Sequence, residues 1–161
     1  MIAVYAGTFD PMTAGHLSVV RLAARLFAHV RVLVAVNPDK RTVFSEDERV
    51  DLARELTLLM PNVSVASTRG LVVDHARGIG ASYLVRGLRD AGDAGFETEL
   101  ARLNRKLAPD LTTLILPAEP DLESVSSSAL KARVLAGQSV TDLCPPHVAD
   151  ELGRRLRREL P

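Results

Sequence analysis

Short apolar runs alternate along the chain with segments whose apolar residues recur at helical spacing. Ile2–Tyr5 is an apolar run suited to a buried strand; from Ala14 the period changes, and Leu17, Val20, Ala24 and Phe27 fall on one helical face. Val30–Val36 (VRVLVAV) is rich in β-branched residues and reads as a second buried strand. Ser45 and Glu48 have the spacing of a capping box, which predicts a helix start; Val50, Ala53, Leu56 and Met60 continue that helix until Pro61 stops it. Val63–Ser67 is a third strand, and a short helix over Leu71–Arg77 leads to Gly78 and Gly80. Ser82–Val85 is a fourth strand, followed by a helix from Asp93 to Leu107 that ends before Pro109. Leu111–Leu116 is a fifth strand. Ser127–Leu135 is a helix with Gly137 placed to cap it, and His147–Leu160 is a strongly charged last helix.

Alternating strands and helices predict a parallel sheet with helices on both faces. Strand runs that are apolar throughout fit strands covered on both sides. The expected fold class is α/β: a single-domain, Rossmann-like, five-stranded parallel sheet over residues 1–161, with 147–160 as a C-terminal helix. Ligands of such sheets bind at the carboxyl ends of the strands, near the topological switch point. Tyr5, Val36, Ser67, Val85 and Leu116 therefore mark where chemistry is expected.

Composition narrows the classes. The 161 residues are 47% apolar and 25% charged, an ordinary balance for one globular domain. Twenty Lys and Arg against twenty Asp and Glu give a formal net charge of zero, which does not support a protein that coats nucleic acid. The Arg154–Arg158 cluster is read as the solvated face of an end helix. No apolar stretch approaches the roughly 20 residues that span a bilayer. The N-terminus lacks the pattern of a secretory signal, and a cytoplasmic protein without membrane or nucleic-acid partners is expected. Cys144, the single cysteine, excludes an intrachain disulfide and is read as incidental. His29, His75 and His147 have no partners at metal-ligand spacing and are read as structural or surface residues.

The segment after the first strand is Gly7-Thr8-Phe9-Asp10-Pro11-Met12-Thr13-Ala14-Gly15-His16. Gly7 and Gly15 let backbone approach a ligand closely, Thr8 and Thr13 offer hydroxyls, and His16 falls in the first turn of the next helix. A phosphate there meets free N–H groups and the positive end of the helix dipole. From residue types alone, a plain strand–helix turn with a capping threonine stays open as an alternative.

GTFDPxTxGH resembles the signature of the phosphopantetheine adenylyltransferases, nucleotidyltransferases marked by a (His or Thr)-x-Gly-His motif. The resemblance runs from about Ile2 to Leu143. It implies that Thr8 contacts both substrates and that His16 binds ATP phosphate and stabilises the transition state, with Phe9 beside the nucleotide. Lys40, in the Asn37–Lys40 turn after the second strand, matches a substrate-binding lysine, and Val72 matches an apolar substrate contact after the third. Arg86-Gly87-Leu88-Arg89 matches the family's Arg-Gly-Leu-Arg. Two arginines at a strand end suit an anionic site, because guanidinium forks pair with phosphate oxygens. The family uses the position of Arg86 for phosphopantetheine and those of Gly87, Leu88 and Arg89 for ATP.

Glu97 matches a glutamate associated with ATP. Just before it Asp93-Ala94-Gly95-Phe96-Glu97 stands where the family commonly has Asp-Phe-Glu-Tyr-Glu, and Gly95 costs a helix about 1 kcal/mol against alanine. After the fifth strand, Leu122-Glu123-Ser124-Val125-Ser126-Ser127-Ser128 leads to Lys131 and matches Ile-Ser-Ser-(Ser or Thr)-x-x-(Lys or Arg). Serines at a helix N-terminus offer hydroxyls and N–H groups to phosphates. Leu122 replaces a usual aromatic, and Ala132 a common acid.

The reaction implied is adenylyl transfer from ATP to 4′-phosphopantetheine, giving dephospho-coenzyme A and pyrophosphate by in-line attack without a covalent intermediate. His16, Lys40 and Arg89 are the expected catalytic residues. Mg²⁺ is expected with ATP, held through its phosphates rather than by protein side chains, and the family implies a homohexamer. The alternatives are a sister adenylyl- or cytidylyltransferase and a non-catalytic nucleotide sensor.

Overall fold

The computed structural model describes residues 1–89, 91–122 and 124–158. Five strands, β1 (Ile2–Gly7), β2 (His29–Ala35), β3 (Val63–Thr68), β4 (Tyr83–Leu88) and β5 (Thr112–Pro117), form one sheet in the order β3-β2-β1-β4-β5. Every pairing is parallel. The chain winds from β1 outward through β2 to β3, then returns to place β4 on the other side of β1. That reversal puts the switch-point crevice between the carboxyl ends of β1 and β4.

Helices α1 (Ala14–Leu26) and α2 (Glu46–Thr57) cover one face. Val19, Val20, Ala23, Val50 and Ala53 pack there against Ala3, Tyr5, Val30, Val32, Val34 and Val85. On the other face Val73 and Ala76 of α3 (Val72–Gly78) meet Val4, Leu33 and Leu84, together with Ala108 and Leu111 beyond α4 (Ala91–Leu107). β1 and β2 are largely buried, as runs of apolar residues predict, and so are Leu84 and Val85 of β4. The edge strands β3 and β5 are only partly covered, and Ile115 is 36% exposed. A third cluster joins α5 (Ser127–Leu135) and α6 (Pro146–Arg158) through Leu130, Val140, Leu143, Val148 and Leu152, with Phe44 closing it.

The local signals behave as expected in detail. Ser45 N donates to Glu48 Oε2 at 2.8 Å and Glu48 N to Ser45 Oγ at 3.3 Å, completing the capping box. Gly137 follows α5 with φ of 69°, the left-handed geometry that glycine accepts without strain. Cys144 is buried in the third cluster.

Several boundaries shift. α2 ends at Thr57, before Met60, and α4 begins at Ala91 rather than Asp93. β4 continues past Val85 through Leu88, because Arg86 and Gly87 still pair with Ile115 and Leu116. Residues 159–160 of the predicted last helix lie outside the described residues. Arg155 is more than part of a solvated face. Its guanidinium binds Glu48 at 2.6 Å and Glu151 at 2.6 Å and lies 4.9 Å from the Phe44 ring centroid, fastening α6 to α2.

Candidate active site

A cavity of about 310 Å³ opens at the switch point, lined from β1 and its loop, the starts of α1 and α5, Lys40, the end of β4, and α4. β1 delivers Gly7, and the chain turns sharply at Phe9, a non-glycine residue with φ of 48°. A Cβ on Gly7 would sit 2.8 Å from Phe9 Cε1, so only glycine lets the ring fold back beneath the strand end. The Phe9 ring is 2% exposed and meets Tyr5 and His16 edge-on, with centroids 5.3 and 5.2 Å away. Burial pushes the Tyr5 phenol well above its ordinary range.

Asp10 anchors the rest of the loop. Its carboxylate accepts from Val43 N at 3.0 Å and Phe44 N at 2.9 Å, and it pairs with Lys131. The Asp10–Pro11 peptide is cis. The Pro11 carbonyl accepts from Ser127 Oγ at 2.8 Å, which ties this loop to the start of α5.

His16 stands in the first turn of α1. Its Nδ1 accepts from the backbone N–H of Thr13 at 3.1 Å and lies 2.9 Å from Thr13 Oγ1. An imidazole whose Nδ1 accepts a backbone N–H carries its own proton on Nε2 when neutral. Burial, followed by the positive charges of Arg89 and Arg86, pushes its pKa down to about 4. His16 therefore offers the cavity an Nε2–H donor rather than a mobile proton. Gly15 beside it has a steric duty, since a Cβ there would lie 2.6 Å from the Val125 carbonyl oxygen. The starts of α1 and α5 can converge only because that side chain is absent.

The charged groups are held by partners. Lys40 Nζ donates to Thr8 Oγ1 at 3.3 Å. Arg86 forms a fork with Glu97 at 2.7 and 2.9 Å and donates to the Ala6 carbonyl at 2.7 Å. Arg89 forms a second fork with Asp93, both contacts at 2.7 Å, which holds the Asp93 carboxyl below its usual range. Ser126 caps α5, accepting from Ala129 N at 3.0 Å. With Ser127 and Ser128 it presents the helix start to the cavity.

Of the residues expected from the sequence, Thr8, Phe9, His16, Lys40, Arg86, Gly87, Arg89, Glu97, Val125, Ser126, Ser127 and Ser128 line this one cavity. Glu97 is buried, and both its oxygens accept from Arg86. Val72 opens α3 and packs against the second core cluster, and Leu122 packs against the third. Leu88 is the half-buried last residue of β4, and Ser124 is exposed. Glu123 lies outside the described residues. Tyr5, Asp93 and Phe96 also line the cavity. Asp10 and Arg49 support it from outside the lining: Asp10 accepts from Val43 N and Phe44 N, 33 and 34 positions away, and Arg49 donates to Thr8 O, 41 positions away. A Cβ at Gly95 meets nothing within 4 Å, so the departure at Ala94–Gly95 leaves open space rather than a collapsed contact.

Comparison with known proteins decides the lineage. The cytidylyltransferase-like family profile matches residues 4–133. A phosphopantetheine adenylyltransferase of Bifidobacterium longum (strain DJO10A) is 44% identical over 164 residues, covering 98% of each chain. The chain belongs to the phosphopantetheine adenylyltransferases of the cytidylyltransferase-like family. A crystal structure from Vibrio parahaemolyticus, assigned provisionally as a nicotinate-nucleotide adenylyltransferase, superposes with a TM-score of 0.70. It covers 98% of this chain and 95% of that one at 19% identity, so it shares the fold. The nucleotidyltransferase character expected from Gly7–His16 is thus supported by sequence relatives, and the five-stranded parallel sheet by the structure itself. Among the described residues no helix is long and apolar enough to cross a membrane.

Proposed function

We propose that this protein transfers the adenylyl group of ATP to 4′-phosphopantetheine, giving dephospho-coenzyme A and pyrophosphate as a step of coenzyme A biosynthesis. The observation that carries this is His16: a neutral donor with a fixed tautomer, in a cavity flanked by Thr8 and Lys40 on one side and Arg89 and the α5 start on the other. A phosphate oxygen of the acceptor forms a bond to the α-phosphorus of ATP as the bond from that phosphorus to the β-bridging oxygen breaks. Pyrophosphate leaves with the electron pair. The nucleophile is already anionic near neutral pH, so alignment and neutralisation of charge replace a strong base.

In this reading His16 Nε2–H and Thr8 Oγ1–H donate to the α-phosphate. Lys40 and Arg86 hold the acceptor's phosphate, and Arg89, Ser127 and Ser128 hold the β and γ phosphates. Gly87 lines the cavity, and a Cβ there would lie 3.2 Å from Val19 Cγ2. Val125 lines the cavity beside the α5 start. Mg²⁺ fits as a companion of ATP. The cavity carboxylates Asp93 and Glu97 are engaged by arginines, and Mg²⁺ takes few protein ligands, so the ion would be held largely through the ATP phosphates. When bound, the ion neutralises the charge of the departing pyrophosphate.

The site of action is the cytoplasm and the assembly a homohexamer. α4 supports assembly: Leu103 and Leu107 are 51% and 46% exposed, and a second copy would cover them. Light scattering on the purified chain tests that assembly. Incubation with ATP and 4′-phosphopantetheine, followed by product identification, tests the reaction. Pyrophosphate released with a different acceptor would point to a sister activity, and binding without turnover to a sensor.

A further inference from the structure

Arg49 lies outside the cavity lining, in the first turn of α2, and is only 3% exposed. A cation there faces the positive end of the helix dipole, so helix formation does not favour it. The neighbouring carboxylates are engaged elsewhere, Glu46 with Arg69 and Glu48 with Arg155. The guanidinium donates instead to main-chain carbonyls, from Nη1 to Thr8 O at 2.8 Å and from Nε to Ser45 O at 3.3 Å.

The Thr8 carbonyl belongs to the peptide that joins Thr8 to Phe9. Holding it fixes ψ of Thr8 and φ of Phe9 together. That φ is 48°, a left-handed geometry that phenylalanine adopts only where its surroundings enforce it. The same peptide sets the direction of the Thr8 hydroxyl, which accepts from Lys40. Arg49 therefore grips from below the one turn that aims both groups into the cavity.

We infer that Arg49 is a positioning residue for adenylyl transfer, acting through the Thr8–Phe9 peptide to hold the Thr8 hydroxyl and the Lys40 ammonium against the bound phosphates. This rests on reading the cavity as a site for ATP and a phosphorylated acceptor. A double-mutant cycle on the full chain tests it, using wild type, Arg49→Gln, Thr8→Ala and the double variant. Each protein is read twice, as kcat/KM for pyrophosphate release and as ATP affinity by calorimetry.

Coupled neighbours typically depart from additivity by about 2- to 150-fold. Arg49→Gln is expected to lower kcat/KM by roughly tenfold or more in the wild-type background, and by less than about threefold once the Thr8 hydroxyl is gone. Arg49→Lys keeps the charge but lacks the fork that spans two carbonyls. It is expected to melt near wild type and still lose activity, and it carries the cycle if the glutamine variant does not fold. Equal losses from Arg49→Gln with and without the Thr8 hydroxyl would overturn the inference. If the wild type binds ATP but does not turn over, the reading of the acceptor fails, and the affinity cycle still decides the role of Arg49.

Discussion

The backbone N–H of Thr13 donates to Nδ1 of His16 at 3.1 Å, so the residue that caps α1 also fixes the tautomer of the imidazole facing the cavity. The expected glycine-rich turn and the expected catalytic histidine are thus one device. Replacing His16 by alanine removes a donor aimed at developing charge. Single donors of that kind contribute about 100- to 1,000-fold in kcat. His16→Ala should lower kcat on that scale while changing ATP affinity much less, as steady-state kinetics and calorimetry together would show. An unchanged kcat would remove His16 from the mechanism.

The depressed pKa of His16 fixes the direction of its pH dependence. Between about 4 and the ordinary histidine value of 6.5, the unfolded chain holds a proton that the folded chain excludes. Its contribution to stability is therefore complete above 6.5 and is lost as pH falls toward 4. The same titration should place the His16 acid limb of kcat/KM near 4, leaving the profile flat through 6.5 on that account. Nitrogen-15 NMR of the His16 ring reads the same event directly. A midpoint near 6.5 would contradict a desolvated neutral donor.

Gly15→Ala places a Cβ 2.6 Å from the Val125 carbonyl oxygen. Since backbone and not a flexible side chain stands in the way, α1 and α5 must separate. Overpacking of this kind costs about 1–3 kcal/mol. A lower melting temperature should come with weaker ATP binding, because both helix starts face the same phosphates. Wild-type stability in this variant would show that the contact is not tight.

Glu97→Gln leaves Arg86 without its carboxylate in a half-buried position, the pair's side chains being 22% and 8% exposed. Breaking such a pair should cost up to about 3 kcal/mol in a denaturant titration. It should also raise KM for the acceptor as Arg86 loses its set direction. A change in stability alone would limit Glu97 to a structural role.

The strands and most helices were legible because buried parallel strands read as apolar runs and covered helices repeat their apolar face. Ser45 and Glu48 announced the start of α2 through a local hydrogen-bond pattern. The extension of β4 through Leu88 was not legible. Arg86 and Gly87 break the apolar run, and only pairing with β5 keeps them extended. At the site, Thr8, His16, Lys40, Arg86 and Arg89 were legible at strand ends. The anchoring roles of Asp10 and Arg49 were not, because Asp10 binds Val43 N, Phe44 N and Lys131 and Arg49 binds Thr8 O, all far along the chain. Val72 matched by spacing, yet α3 turns it toward the second core cluster, as its apolar character equally allows.

The most direct test of the account uses ATP labelled at the α-phosphorus with 4′-phosphopantetheine and Mg²⁺. The label should pass into dephospho-coenzyme A, with unlabelled pyrophosphate formed in equal amount and both products formed about 100- to 1,000-fold more slowly in His16→Ala. Label that stays in ATP, or that appears as AMP independently of the acceptor, would contradict adenylyl transfer at this cavity.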